Sequence, residues 1–175
     1  EKYSEKDKIE ITLSLEKYAK DFDKRIARVR KSSYQESHSK VWLHSSKGGV
    51  CEGEKRLCQI GIMAMAEDNG SQEMSWDMDF NEKFSELQPR EVSEKAAHDA
   101  ISLLGAKSIE TTCCPVILDR EVVCSLLGVL SPSFLADHVQ KGKSSLKGKI
   151  NETIYSPSLN IIDDGILPGG YESFP

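Results

Sequence analysis

The stretch LCQIGIMAMAEDNGSQEMSWDMDF, residues 57–80, predicts two neighbouring strands of an antiparallel sheet. Its first half is apolar on both faces, which is typical of a strand at the centre of a sheet. The EDNGS segment supplies the Asn-Gly pair of a tight hairpin turn. In the second half, apolar and acidic residues alternate with the period of a strand, and we expect the acidic side to be the solvated one. The apolar side chains are Trp76, Met78 and Phe80, and the acidic ones are Asp77 and Asp79.

Two further strands are predicted upstream of this hairpin. RIARVR and SKVWLH each have the composition of a short strand, and we interpret them as successive strands. SSKGG follows them as a turn, because Gly48 and Gly49 tolerate a positive φ. The whole region therefore predicts an antiparallel meander of about four strands.

A helix is predicted before the meander. Ser4 and Asp7 have the spacing of a capping box, and a helical apolar stripe runs from Ile11 to Phe22 through Leu15 and Tyr18. KIEITLSL alternates apolar and polar residues and would also suit a strand. The helix is favoured because a strand would not explain why the stripe continues to Phe22.

A second helix is predicted after the meander. It begins at Pro89, where a missing N–H costs nothing, and Gly105 closes it as a left-handed cap. Its apolar face is formed by Val92, Ala96, Ala100, Leu103 and Leu104. The predicted fold class is α+β, with an antiparallel sheet meander flanked by helices in a compact unit that ends near residue 108.

The remaining residues predict a different kind of structure. PVILD is interpreted as a strand, Glu121–Leu130 as a helix, and Pro132 as the start of a second helical piece with Ser131 as its cap. Beyond Gly142 the chain is rich in Gly, Ser, Lys and Pro. Two short strands, ETIYS and LNIID, and two turns, DDG and LPGG, are expected there. We expect this part to be the start of a β-rich domain and the chain to be a fragment.

Composition excludes several classes of protein. The 175 residues carry a net charge of −5 with a pI near 5.5, which does not suggest binding to nucleic acid. No apolar run approaches the ~20 residues that span a membrane, and no signal-peptide pattern begins the chain. We expect a cytoplasmic protein. Its five cysteines have no C-x-x-C spacing, so we expect them to be reduced and mostly buried.

The residues alone identify no catalytic, metal-binding or cofactor-binding set. None of the four histidines, His38, His44, His98 and His138, has a partner at the spacing of a metal-binding helix, and surface positions are favoured for them. Cys124 with His138 is the alternative for a nucleophile. It is disfavoured because Cys124 lies in an apolar run, where burial would raise the pKa of its thiol.

Two polar segments near the end of the chain have both a simple and a functional interpretation. Asp163 and Asp164 are expected to form a turn by bonding the nearby backbone, with cation binding as the alternative. Four spaced lysines are expected to lie in a solvated loop, with contact to an anionic peptide or a partner as the alternative. They are Lys141, Lys143, Lys147 and Lys149.

Several stretches, in order, resemble the TldD/PmbA family, whose PmbA members are also called TldE. They are DKRIARVRKSSYQE, VWLHSSKGG, EVSEKAAHDAISLLGAK, CPVILDREVVCSLLGVL and KGKSSLKGKINETIYSPSLNIIDDGILPGGYESFP. The family is named for modulators of DNA gyrase and for metalloprotease subunits. The resemblance implies that residues 1–110 are a central α+β domain of PmbA/TldD type. It implies that residues 111–175 begin a C-terminal β-rich domain, which is truncated here.

The resemblance also implies a division of labour between two kinds of subunit. A TldD-type and a TldE-type subunit form a zinc-dependent protease that acts on unfolded peptides. The TldD-type subunit carries His-Glu-x-x-x-His on the helix after the strand that corresponds to PVILD. This chain has EVVCSLLGVL there, and no His lies between His98 and His138. It therefore resembles the PmbA/TldE type, with zinc expected in a TldD-type partner.

Two other expectations accompany this interpretation. The alternative function is a non-enzymatic module that binds peptides or a regulator. A homo-oligomer is the second expectation, because a truncated β-rich part would leave strand edges and apolar surface exposed.

Overall fold

The computed structural model describes residues 3–167, which fall into two compact units that divide between Ser108 and Ile109. The first unit has an α+β fold, as predicted. Its helices and strands are α1 (Glu5–Phe22), β1 (Ile26–His44), β2 (Val50–Asp68), β3 (Ser71–Asn81) and α2 (Pro89–Ser102), with a 3-10 turn at Phe84–Glu86. The second unit contains α3 (Arg120–Leu130), a 3-10 turn at Ser131–Phe134 and α4 (Ala136–Gln140).

The start of α1 confirms the predicted capping box. The Asp7 backbone N–H donates to the Ser4 hydroxyl at 3.3 Å, and the Ser4 N–H donates to the Asp7 carboxylate at 2.8 Å. These hydrogen bonds satisfy N–H groups that the first turn of a helix leaves without a partner. They also lower the pKa of Asp7, with the Ser4 hydroxyl as the main cause. The strand alternative for KIEITLSL is therefore wrong.

The sheet has three antiparallel strands in the order β1-β2-β3, with β2 in the centre as predicted. The prediction of about four strands is wrong, because RIARVR and SKVWLH belong to one 19-residue strand, β1. The polar residues between them stay extended because β2 supplies a backbone partner along nearly the whole length of β1. β1 and β2 continue beyond the last pair of β2 and β3, Cys58 with Asn81, as a two-stranded arm.

The predicted turns are present at both hairpins. Asn69 and Gly70 both have positive φ, 49° and 82°, as a two-residue turn between antiparallel strands requires. At the tip of the arm, the Ser45 N–H donates to the Gly49 carbonyl at 2.8 Å. The two turns fix the register of the sheet, since a shift by one residue would move every side chain to the other face.

The core lies between α1, α2 and one face of the sheet. Leu15 and Ala19 of α1 are fully buried, and α2 contributes mainly small residues. The small side chains allow α2 to lie close to the other elements of the core. The buried cluster is Leu15, Ala19, Ile26, Ile60, Ile62, Ala64, Ala66, Leu87, Val92, Ala96, Ala97 and Ala100. Leu103, predicted on the α2 face, lies beyond the helix end and is exposed.

The orientation of β3 is the reverse of the prediction. Its residues alternate with period two, but the acidic side chains face α2 and the apolar ones face away. Asp77 pairs with Lys95 of α2 at 3.3 Å, and Asp79 accepts the Gln88 N–H at 2.9 Å. Lys95 and the Gln88 N–H therefore compensate the two carboxylates that face the helix. Trp76, on the other side of β3, is 59% exposed.

Helices are the only regular secondary structure in the described part of the second unit, and the rest of that part is turns and irregular chain. No strand occurs between residues 109 and 167, so the strands predicted at PVILD, ETIYS and LNIID are wrong for the described chain. A strand needs a neighbouring strand for its backbone hydrogen bonds, and Ile117 in PVILD is 98% exposed. Ser131 was also expected to cap a helix. Its hydroxyl instead donates to the Gly128 carbonyl at 3.0 Å.

Two details of this unit concern residues singled out in the sequence. The Ile166 N–H donates to the Asp164 carboxylate at 3.1 Å, which confirms the turn interpretation for Asp164. Ser144 is buried within the lysine-rich loop, and its hydroxyl donates to the Ser133 carbonyl at 2.7 Å. The four lysines around it are exposed, as predicted. The LPGG turn extends beyond the described residues.

All five cysteines are free, but the prediction that most are buried is wrong. Cys58 is half-buried, where the Tyr34 hydroxyl contacts its sulfur at 3.4 Å. Cys51 lies on the two-stranded arm, which no helix covers, and is exposed. Cys113, Cys114 and Cys124 are exposed in the second unit.

Candidate functional site

The first candidate site is α3. In a TldD-type subunit, the resemblance implies that the corresponding helix carries the zinc motif. Asp119 caps the helix by accepting the Glu121 N–H at 2.9 Å, and the Ser125 hydroxyl donates back to the Glu121 carbonyl. These contacts occupy the polar groups of the first turns. The remaining side chains of the helix are mostly apolar and partly exposed: Val122, Val123, Leu126, Leu127 and Leu130.

The side chains of α3 do not fit a zinc ion. A structural or catalytic zinc site uses three or four ligands from Cys, His, Asp and Glu. Between residues 122 and 130, α3 offers only the thiol of Cys124, which is exposed rather than buried. Within residues 3–167, no three such side chains come together as a metal site would need.

Three of the four histidines lie on the surface. His98 is exposed on α2, with its Nδ1 3.1 Å from the carboxylate of the neighbouring Asp99. His38 and His44 are exposed on the arm, and His138 is half-buried in α4. The surface interpretation is confirmed for the first three of these residues.

The arm carries the densest cluster of charges. Glu54 accepts from His38 Nε2 at 2.7 Å and from Lys40 Nζ at 2.9 Å, and Arg56 lies at 3.5 Å. The Lys40 hydrogen bond, followed by that of His38, lowers the pKa of Glu54 to about 2. These ion pairs join β1 to β2 across the arm, where no helix supports the strands.

We expect Lys40→Met to raise the pKa of Glu54 toward the ordinary value for glutamate. The depressed pKa means that the pairing stabilises the arm above the ordinary glutamate pKa and is lost as the pH falls toward 2. Carboxyl carbon NMR shifts of Glu54 across an acid titration measure this change. Lys47→Met, on the turn of the same arm, is the matched control and should leave the Glu54 midpoint in place.

The second candidate site is the side of the sheet opposite the helices. Residues that pair across strands share a face, and Ile60, Ile62 and Ala64 face the core. The alternate residues of β2 and their partners in β3 therefore lie on the other side. We call this surface the methionine face, formed by Met63, Met65, Met74, Trp76, Met78 and Phe80.

The methionine face contains all four methionines of the chain. Met63 pairs with Trp76, Met65 with Met74 and Gly61 with Met78 across β2 and β3. Met74, Trp76, Met78 and Phe80 are all more than two-fifths exposed. The sequence pattern showed the alternation of β3 but did not indicate that this side is uncovered.

The comparison with known families identifies the chain. Residues 1–104 match the PmbA/TldA metallopeptidase central domain, and residues 111–175 match the C-terminal domain of the same family. The chain belongs to the PmbA/TldA metallopeptidase family. The predicted resemblance, including the modulator and metalloprotease names, is confirmed.

Two relatives from this family match the chain along nearly its full length. It is 27% identical over 169 residues to the metalloprotease PmbA homolog of Buchnera aphidicola, covering 95% of the chain and 38% of that protein. It is also 27% identical over 169 residues to metalloprotease PmbA of Escherichia coli, covering 95% of the chain and 37% of that protein. The chain thus spans less than two-fifths of each of these relatives.

Solved structures show the same fold. A candidate modulator of a DNA gyrase from Thermotoga maritima matches 86% of the chain and 35% of its own, with a TM-score of 0.79 at 27% identity. TldE from Thermococcus kodakarensis matches 85% of the chain and 34% of its own, with a TM-score of 0.61. At 16% identity, the second match supports the fold alone. None of the described helices is both long and apolar enough to span a bilayer.

Proposed function

We propose that this chain is part of a PmbA/TldE-like subunit of a TldD/TldE-type zinc metalloprotease complex that acts on unfolded peptides. The subunit lacks the zinc-binding motif, and a TldD-type partner supplies the metal. The observation that carries this proposal is α3, an Asp119-capped apolar helix without histidine, in the position where the resemblance implies His-Glu-x-x-x-His in a TldD-type subunit. The family membership and the names of the relatives support it.

The chemistry of α3 supports a role other than hydrolysis. A metal-bound water needs a metal with an open position and a nearby base, and the Val and Leu side chains of α3 provide neither. Partly exposed apolar side chains on a capped helix suit packing against another surface. In the proposed complex, this chain shapes the enzyme and the partner performs the peptide cleavage.

The test is a comparison of the purified chain, a TldD-type subunit from the same source, and their mixture. We expect no stoichiometric zinc in the chain by elemental analysis and no cleavage of an unfolded peptide by the chain alone. The mixture should form a stable complex by size-exclusion chromatography, and a zinc chelator should abolish its cleavage. Stoichiometric zinc together with peptide cleavage by this chain alone would contradict the proposal.

A second function, a peptide- or regulator-binding module without any protease, is favoured by the exposed methionine face. Affinity purification from the native source separates the two functions. Recovery of a sibling with His-Glu-x-x-x-His supports the protease subunit. Recovery of other proteins with no such sibling supports the binding module.

A further inference from the structure

We propose that the methionine face binds an unfolded polypeptide segment that combines apolar and acidic side chains. The inference rests on the proposed function for the source of this polypeptide, but the binding itself requires neither zinc nor a partner. Three features of the described residues carry it: side-chain chemistry, charge and exposure.

The side chains are those of an adaptable apolar surface. Methionine is unbranched and polarisable, so a surface rich in methionine repacks around different sequences. Trp76 and Phe80 add rigid aromatic area at low entropic cost. The Gln59 amide contacts the Met78 sulfur at 3.3 Å, which provides a polar group at the edge of the apolar stripe. Such a surface suits segments of varied sequence better than one fixed ligand.

Charge selects the acidic character of the segment. Arg28 pairs with Met65 and Lys31 with Met63, so both cations lie on the same side of the sheet as the methionine face. Both are exposed. Each of these two cross-strand rows therefore runs from a cation on β1 to a methionine on β2 and an apolar residue on β3. In a segment that crosses one of these rows, an acidic side chain would pair with the cation. An apolar side chain of the same segment would contact the apolar residues of β2 and β3.

The three carboxylates of β3 lie on the opposite side, whereas Glu67 near the end of β2 lies on the methionine side and accepts from the Gln72 amide at 3.0 Å. Glu73, Asp77 and Asp79 of β3 pair with Ala66, Ile62 and Ile60, the core-facing residues of β2. They would not repel an acidic segment on the methionine face as strongly as carboxylates beside Trp76 would. The separation of the β3 carboxylates from Arg28 and Lys31 is the main evidence for the acidic preference.

The same charges disfavour two other occupants. A second copy packed face to face would bring its own Arg28 and Lys31 close to the same two cations. The cross-strand rows that contain these cations include no carboxylate to pair with them. A nucleic acid would require a broader basic surface than these two cations, and the chain as a whole carries a net charge of −5. Both occupants are outcomes that the experiment distinguishes.

The experiment measures the binding of two fluorescein-labelled unfolded peptides to the 175-residue chain by anisotropy. Both peptides carry Leu and Phe at the same positions, with Asp and Glu between them in one and Lys in the other. We expect the acidic peptide to bind more tightly, by about tenfold, and to lose affinity as salt increases. Equal binding of the basic peptide would overturn the proposal.

Trp76→Ala is the decisive variant, and Trp42→Ala is its matched control. Both tryptophans are equally exposed, at 59% and 57%, but Trp42 pairs with Glu52 on the arm and faces the other side of the sheet. We expect Trp76→Ala to weaken acidic-peptide binding by about tenfold and Trp42→Ala by no more than about twofold. Circular dichroism checks that both variants are folded. Equal losses in the two variants, or no loss in either, would overturn the proposal.

Lys31→Glu tests the charge independently of the apolar contact. It should reverse the preference, so that the basic peptide binds more tightly than the acidic one. A wild-type dimer that Trp76→Ala converts to a monomer would show that a second copy covers the face and would overturn the proposal. Competition by a single-stranded oligonucleotide that matches the acidic peptide would do the same.

The outcomes also separate this inference from the proposed function. If the chain forms an active complex with a TldD-type subunit but Trp76→Ala leaves peptide binding unchanged, only the inference fails. If the acidic peptide binds through Trp76 but no zinc-bearing partner pairs with the chain, the proposed function fails and the methionine face remains a binding surface.

Discussion

Leu15→Ala will lower the free energy of unfolding of the first unit by about 3 kcal/mol. Leu15 is fully buried on α1, where it belongs to the cluster that joins this helix to α2 and the sheet. Removing the Cγ methine and both methyl groups there loses apolar burial and leaves a cavity that close-packed neighbours fill only in part. Urea unfolding followed by tryptophan fluorescence measures the change, because Trp42 and Trp76 both lie in this unit.

Leu13→Ala is the matched control for this prediction. It makes the same chemical change two residues earlier on the same helix, at a side chain that is 62% exposed. We expect it to change the free energy of unfolding by no more than about 0.5 kcal/mol. A similar loss in both variants would show that the two leucines contribute through helix formation rather than through the core.

Ala96→Leu will lower the free energy of unfolding by about 2 kcal/mol or more, although it adds apolar area. Ala96 is fully buried on α2, among other small residues of the same face. A leucine there would force α2 away from its neighbours or force side chains out of their preferred rotamers. Urea unfolding, with the slope compared between variants, separates a loss of stability from a change in compactness.

Ala27→Leu is the control for added volume. Ala27 is exposed on β1, so a larger side chain meets solvent there rather than packed atoms. We expect it to leave the free energy of unfolding nearly unchanged. If Ala96→Leu were neutral or stabilising, the core around α2 would contain unfilled space.

The sequence predicted the elements of the first unit well because their signals are local. The Ser4–Asp7 capping box marks the start of α1, Pro89 marks the start of α2, and Asn69-Gly70 marks the turn between β2 and β3. Each signal acts within about four residues, through a hydrogen bond or an allowed φ. The single long β1 was missed because its middle is polar, and only pairing with β2 keeps it extended.

The predictions for the second unit depended on partners that the sequence does not specify. PVILD has the composition of a strand, but a strand exists only when another backbone pairs with it, and none does so within the described residues. Cys124 was expected to be buried because its neighbours are apolar. The helix instead exposes part of its apolar surface, including Leu126 and Leu127. Composition alone does not establish what covers a side chain.

By itself, the sequence determined the positions of the helices and turns of the first unit, the alternation along β3 and the absence of histidine from α3. Only the tertiary structure decided which side of β3 faces the core. The alternation defines two faces, but their assignment depends on Lys95, which reaches Asp77 from α2. Because that ion pair and the Gln88 N–H compensate the acidic side against the helices, the apolar side faces outward and forms the methionine face.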